Sequence, residues 1–155
     1  MDLAIKGLKY MDGPDSLIFR CSVYVDGKRR FMARNDGNGG CHAYDPVANG
    51  HGNWAESLRC IRDAEAWAKT LPSREITLGQ TTLTVESDLD QVIDDLVFAE
   101  MERRQLKAWC RNATVFRTED TPEDQWRSVN HVYTPEVRDW IHARYPGAEI
   151  ANERF

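Results

Sequence analysis

The apolar positions of this chain follow two periods, which predicts an α+β protein. Residues 17–25 (LIFRCSVYV) are rich in β-branched and aromatic side chains, and residues 28–34 form a second such run. Asp26 and Gly27 lie between the two runs. This dipeptide favours a type I′ turn, which needs positive φ at both central residues. Residues 16–35 are therefore predicted to form an antiparallel hairpin.

Three segments carry apolar residues at helical spacing. The first runs from residue 54 to about 69, with Asn53 and Glu56 as a predicted capping box. The second runs from about residue 88 to 111. The third begins at Thr134-Pro135-Glu136, where Thr caps the helix and Pro takes its first position, and it ends near residue 145. Shorter strands are predicted over residues 3–11, 81–85 and 113–117.

The length, composition and charge of the chain indicate how many domains it forms and where it acts. With 155 residues, 41% of them hydrophobic and 29% charged, we expect a single α+β domain over residues 1–155. Its antiparallel sheet is built on the hairpin of residues 16–35 and packed against about three helices. No apolar run reaches the ~20 residues that cross a bilayer, and no signal peptide is visible, so we expect a cytoplasmic protein without membrane contact. The net charge of −5 makes nucleic acid an unfavourable partner.

A glycine-rich loop follows the predicted hairpin and is the first candidate binding site. Glycine-rich turns can present backbone amides to an anion such as phosphate. The loop matches neither the P-loop nor the dinucleotide-binding pattern, and packing against neighbouring loops is the alternative interpretation. The candidate ligand-binding residues are Asn35, Asp36, Gly37, Gly39, Gly40 and His42.

Nucleophilic and metal chemistry find little support in the spacing of reactive residues. Cys41 and His42 are adjacent, so on an extended chain their side chains point in opposite directions and cannot form a dyad. Together with His51 and Cys60 they match no zinc pattern. The acidic stretch at 88–95 lacks the glycine and the closing glutamate of a calcium loop. We predict no catalytic residues, no metal ion and no cofactor.

The long helix predicted over residues 88–111 has apolar residues on two sides. Phe98, Met101 and Trp109 fall opposite or beside the main stripe that begins at Leu89. Such a helix is either enclosed within the domain or shows an aromatic surface to a partner. The candidate partner-binding residues are Asp94, Asp95, Phe98, Met101 and Trp109.

The second strand of the hairpin is also basic. Arg29, Arg30 and Arg34 lie along it, and Arg103 and Arg104 follow near the end of the long helix. Such a patch would suit nucleic acid. Alternating arginines on an edge strand also protect a sheet against aggregation, and we adopt that interpretation here.

Two parts of the chain resemble small accessory proteins of uncharacterised function that bacteriophages and prophages encode. They are residues 23–28 running into 35–40, and residues 133–137 through 145–153. The family has histidine where this chain has Asn38. The resemblance implies no catalytic residues.

The resemblance does imply a setting in the cytoplasm of a bacterial host during infection or lysogeny. By analogy with other small acidic phage proteins, it suggests a non-enzymatic protein that binds and inhibits a host bacterial protein, such as a component of a CRISPR–Cas defence system. The alternative is a small-ligand or nucleotide-binding protein, including an enzyme, that uses the glycine-rich loop at 35–42. The sequence gives neither the identity of the partner nor the oligomeric state.

Overall fold

The computed structural model describes residues 1–47, 54–122 and 125–155. The chain forms two compact units, Met1–Phe98 and Ala99–Phe155, which are called unit 1 and unit 2 below. Three helices and antiparallel sheets confirm the α+β class. The organisation into one domain stays a prediction.

Unit 1 is built on a four-stranded antiparallel sheet in the order β1-β2-β3-β4. The predicted hairpin is confirmed as β2 and β3. Asp26 and Gly27 both have positive φ, 49° and 77°, as the turn requires. The strand β4 was not predicted, because its four residues lie among turn-forming residues. The strands are β1 Leu3–Asp12, β2 Leu17–Val25, β3 Lys28–Asp36 and β4 Ala43–Pro46.

One face of this sheet, called the inner face below, is buried. Helix α1 (Trp54–Ala68) packs against β3 and β4. Its first turn is held by Ser57, whose hydroxyl donates to the carbonyl of Arg30 and accepts from the amide of Val47 at 3.1 Å. The capping box predicted at Asn53 lies outside the described residues. The buried apolar side chains of the inner face, of α1 and of the first half of α2 are Leu8, Phe19, Cys21, Val23, Val25, Phe31, Ala33, Ile61, Ala64, Ala68, Leu89, Ile93 and Val97.

A second, two-stranded sheet also belongs to unit 1. It joins β5 (Arg74–Leu78) to β6 (Thr81–Val85) through a turn at Gly79, whose φ is 63°. The strand β6 was predicted. The strand β5 was missed because Gly79 is followed by Gln80 rather than by a residue typical of hairpin turns. The long helix α2 (Leu89–Trp109) follows and continues into unit 2.

Unit 2 contains a three-stranded antiparallel sheet in the order β8-β7-β9. Its helix α3 (Pro135–Arg144) begins as predicted, since the Thr134 hydroxyl accepts from the amide of Val137 at 3.3 Å. The strands are β7 Thr114–Arg117, β8 Arg127–Val129 and β9 Glu149–Ile150, and a 3-10 helix spans Ala151–Arg154.

The core of unit 2 is completed by a partly buried side-chain amide, that of Asn152. Asn152 accepts from the amide of Val115 at 2.8 Å and donates to the carbonyls of Cys110 and Ala113, both at 3.0 Å. These bonds join the end of α2, the strand β7 and the 3-10 helix. The two apolar clusters around them are Leu106, Ala113, Val115 and Ala151, and Phe116, Ile141, Ala148 and Ile150.

Candidate functional site

The glycine-rich loop is organised around the side chain of Asn35. Its amide oxygen accepts from the backbone N–H of Gly37 at 2.8 Å. Its amide nitrogen donates to the carbonyl of Gly40 at 3.0 Å and to Nδ1 of His42 at 2.9 Å. Five of the six predicted ligand-binding residues therefore gather at one place: Asn35, Gly37, Gly39, Gly40 and His42. Asp36 points to the other face of the sheet, where it binds Arg34.

Backbone packing closes the loop against the β1–β2 turn. The carbonyl of Gly37 accepts from the amides of Asp15 and Ser16, and the amide of Gly39 donates to the Ser16 hydroxyl at 3.2 Å. Gly37 has a φ of 77°, and a Cβ built on it would meet the Ile18 side chain at 2.4 Å. Glycine is thus required at this position for both conformation and space.

The hydrogen bonds determine which nitrogen of His42 carries a proton. Gly37 N–H can only donate and the Gly40 carbonyl can only accept, so the orientation of the Asn35 amide is determined. Asn35 then donates to Nδ1 of His42. The proton therefore lies on Nε2, which is 3.0 Å from Oδ1 of Asp94. Both nitrogens of this nearly buried ring are engaged.

The first turns of α2 supply the carboxylates of this cluster. Asp90 accepts from the backbone amide of His42 at 2.9 Å and from the Tyr44 hydroxyl at 2.5 Å. Burial, the bond to Asp90 and the nearby carboxylates raise the pKa of Tyr44 far above its usual value. Asn35, His42, Tyr44, Asp90 and Asp94 thus form what we call the inner polar cluster.

The polar side chains of the inner polar cluster are occupied by hydrogen bonds within unit 1. Both ring nitrogens of His42 are hydrogen-bonded, and burial together with the bond to Asp90 raises the pKa of Tyr44, so the hydroxyl keeps its proton. In residues 1–47, 54–122 and 125–155, no group of three histidine, cysteine, aspartate or glutamate residues could hold a metal ion. Ligand binding at the loop stays a prediction.

The predicted partner-binding residues divide by environment. Asp94 binds His42, and Asp95 binds Arg74, whose hydrogen bond lowers the pKa of that carboxyl. In unit 1 Phe98 is 56% exposed, and in unit 2 Trp109 is 41% exposed. Met101, also in unit 2, is half-buried.

The other face of the four-stranded sheet, called the outer face below, carries a concentration of cations. The register places Lys9 opposite Arg20, and Arg20 opposite Arg34, so three cations form a row across β1, β2 and β3. Like charges directly opposite each other destabilise a sheet. Among the described residues, Lys6 and Arg29 share this face and bring it to five cations, whereas the two carboxylates of the face, Asp36 and Asp45, both bind Arg34.

The cations of this row differ in how far the described residues neutralise them. Arg34 donates to Asp36 and Asp45, which raise its pKa. In the part of the chain that the structure describes, neither Lys9 nor Arg20 has a carboxylate within 4.0 Å. A groove of about 370 Å³ runs over the row and is also lined by the apolar side chains of Met11 and Ile18.

The structure corrects the interpretation of the hairpin arginines. Because β4 pairs with β3, β3 is not an edge strand, and edge protection does not explain its charges. Arg30 does not contribute to the outer-face cations, because its guanidinium binds the carboxylate of Glu56 on α1 at 2.5 Å. In unit 2, Arg103 and Arg104 bind Glu100 and hold its pKa near 2. Alternation along β2, where Arg20, Ser22 and Tyr24 fall opposite the buried residues, was the signal that could have indicated the outer face.

Among the described residues, no helix is long and apolar enough to cross a membrane. No protein-family model, no curated protein and no solved structure matches this chain.

Proposed function

We propose that this chain is a non-enzymatic protein that binds an acidic surface of another protein through the outer face of its four-stranded sheet. The observation that carries the proposal is the row of Lys9, Arg20 and Arg34 on a protein whose net charge is −5. Directly opposed cations are unfavourable in the free protein, and carboxylates of a partner would relieve that repulsion.

The side chains around the row favour a protein partner over nucleic acid. Arginine, tyrosine and methionine are enriched in protein interfaces, and the outer face combines its arginines with Tyr24, Met11 and Met32. Lys6 lies 4.6 Å above the ring of Tyr24 and covers the aromatic face on which a base would stack. The partner surface expected from this pattern has carboxylates interspersed with apolar side chains.

The inner polar cluster supports the non-enzymatic part of the proposal. Its histidine and tyrosine are engaged by Asn35, Asp90 and Asp94, and the amides of Gly37 and Gly39 already donate within the chain. A small-ligand or nucleotide site at residues 35–42 is the alternative function. It predicts a rise in melting temperature with nucleotides, cyclic nucleotides or divalent metals.

The proposed setting comes from the resemblance to phage and prophage accessory proteins. In that setting the protein acts in the cytoplasm of a bacterial host, and its partner is a host protein whose function it inhibits by stoichiometric binding. A defence system such as CRISPR–Cas is one such target. Inhibition by binding needs an interface on the inhibitor and does not need a catalytic group.

The experiment is an affinity pull-down from nuclease-treated bacterial lysate, read by mass spectrometry, with two charge-matched variants. Lys9→Glu/Arg20→Glu reverses two exposed cations of the outer face. Arg62→Glu/Lys69→Glu makes the same change of charge at exposed positions of α1 and the residue after it. We expect one stoichiometric acidic protein to be captured by the wild type and the α1 variant, and lost with the outer-face variant.

The captured protein is then purified, and its affinity is measured against salt concentration. An interface between cations and carboxylates weakens as salt rises. Equal capture by all three proteins would contradict the outer-face proposal. Phe98→Ala and Trp109→Ala, tested separately, show whether the predicted α2 residues contribute instead.

A further inference from the structure

The β5–β6 hairpin of unit 1 is isolated within its own chain. Its two strands pair with each other, and neither pairs with another strand in the described part of the chain. Every residue of both strands except Val85 is exposed. An isolated two-stranded hairpin is marginally stable in water, so this element lacks the packing that normally stabilises a sheet.

Among the described residues, the side-chain hydrogen bonds that attach the hairpin to the rest of unit 1 lie at its base. Arg74 donates to Asp95 at 3.0 Å, and the Ser87 hydroxyl donates to the carbonyl of Pro72 at 2.6 Å. Beyond the base, the register pairs Ile76 with Leu83, and Leu78 lies on the same face. The opposite face carries threonines and Glu75. The hairpin therefore has an apolar and a polar face, and both are open to solvent.

The two edges of the hairpin differ in how well they are protected against pairing with another strand. Natural sheets block a free edge with charged residues or proline. The strand β5 begins with Arg74 and Glu75, whereas β6, with the sequence TTLTV, has no charge and no proline. All its residues are β-branched or leucine, which favours strand pairing. The edge of β6 is therefore open to a further strand.

We propose that β6 pairs antiparallel with β6 of a second copy of this chain, about a twofold axis at Leu83. The residues around the axis, Thr82-Leu83-Thr84, read the same in both directions. A twofold axis there places Leu83 opposite Leu83 of the other copy, and Thr82 opposite Thr84. The twofold axis makes each contact reciprocal, and the palindrome pairs threonine with threonine and leucine with leucine, so no like charges are opposed.

The hydrogen-bonding pattern of the hairpin fits this register. Leu78 and Thr81 flank the two-residue turn as a hydrogen-bonded pair, so the backbone groups of Leu83 point to β5. Those of Thr82 and Thr84 point outward, where each pair with the second copy exchanges two hydrogen bonds. All apolar side chains of the resulting four-stranded sheet lie on one face. The outer face of the main sheet takes no part, so this inference does not rest on the proposed function.

Disulfide cross-linking tests the register directly. Opposed residues of a non-hydrogen-bonded antiparallel pair have Cα atoms about 4.5 Å apart, within the range of a disulfide. Leu83→Cys, in a Cys41→Ser background that removes an exposed thiol, should therefore give a covalent dimer on mild oxidation. Ile76→Cys is the matched control. It is equally exposed, 45% against 49%, but would lie roughly 14 Å from its equivalent, three strand spacings away.

Sedimentation analysis tests the interface without cysteines. We expect the mass of the wild type to double as its concentration rises. Thr82→Pro removes an outward N–H from β6 and should abolish dimerisation, while Thr77→Pro makes the same change on the outer edge of β5 and should not. A protein that stays monomeric with no Leu83→Cys cross-link overturns the proposal. So does a dimer that cross-links equally through Ile76→Cys or that dissociates equally with both proline variants.

Discussion

The inner and outer faces of the four-stranded sheet are formed by the same strands but use their polar residues differently. On the inner face, Asn35, His42 and Tyr44 satisfy one another or bind carboxylates of α2. On the outer face, Lys9 and Arg20 lie opposite each other, and the register adds a third cation. The inner arrangement stabilises the folded chain, whereas the outer one costs stability. Residues that lower the stability of the fold are often kept because they serve function, and here that function would be binding.

The largest difference between the faces should appear on removal of an inner aromatic ring. Phe31 is fully buried and packs edge-on against Tyr44 at 5.8 Å. Phe31→Ala should lower the free energy of unfolding by about 3–5 kcal/mol, because it removes apolar contact and leaves a cavity. Met32→Ala, one residue away on the outer face, is the control and should cost less than half as much. Urea denaturation of both variants measures the difference, and similar losses would contradict the assignment of faces.

The glycine-rich loop offers a graded test of how tightly it packs against the β1–β2 turn and Ile18. Gly37→Ala should cost about 2–3 kcal/mol, because φ is positive and the new Cβ would overlap Ile18. Gly27→Ala keeps the unfavourable φ in open space and should cost less, while Gly40→Ala has neither penalty and should be nearly neutral. Thermal denaturation ranks the three variants. An order in which Gly40→Ala is the worst would refute a structural role for the loop.

Elements with local signals could be predicted from the sequence, and elements without them could not. The β2–β3 hairpin follows from its turn dipeptide, and the start of α3 follows from Thr134 and Pro135. The strands β8 and β9 have two or three residues each, too few for alternation to stand out, whereas β4 lies among turn-forming residues and β5 ends at a turn without a typical dipeptide. The inner polar cluster joins His42 and Tyr44 to carboxylates 46–52 residues away, so only the tertiary fold brings it together.

The cation row shows how a single irregularity hides a surface from sequence reasoning. Simple alternation along β1 would place Leu8 opposite Arg20 on the outer face. A register shift between Lys6 and Lys9, where Gly7 has a φ of 66°, buries Leu8 and turns Lys9 outward instead. The row therefore depends on a bulge that the hydrophobic pattern does not reveal.

A smaller effect, which becomes pH-dependent in the alkaline range, should come from Tyr44→Phe. Loss of the bond to Asp90 should cost about 1.5 kcal/mol at neutral pH. The folded-state pKa of Tyr44 is raised above the unfolded value, so the folded chain keeps a proton that the unfolded chain releases. Above pH ~10 this contribution should fall by about 1.4 kcal/mol per pH unit in the wild type. Denaturation at several alkaline pH values should show that the free energy of unfolding falls less steeply with pH in Tyr44→Phe than in the wild type. Equal slopes would contradict this prediction.

The smallest effect has the opposite sign and lies on the outer face. Arg20 is the middle cation of the row, between Lys9 and Arg34, so Arg20→Gln removes two unfavourable cross-strand pairs. We expect it to raise the free energy of unfolding by about 0.2–1 kcal/mol at low salt, and less at high salt. Arg62→Gln on α1 is the control and should be neutral. A stabilising variant that also loses the partner would show that the row is kept for binding. Destabilisation by Arg20→Gln would mean that Arg20 serves the fold, and the contrast between the two faces would then disappear.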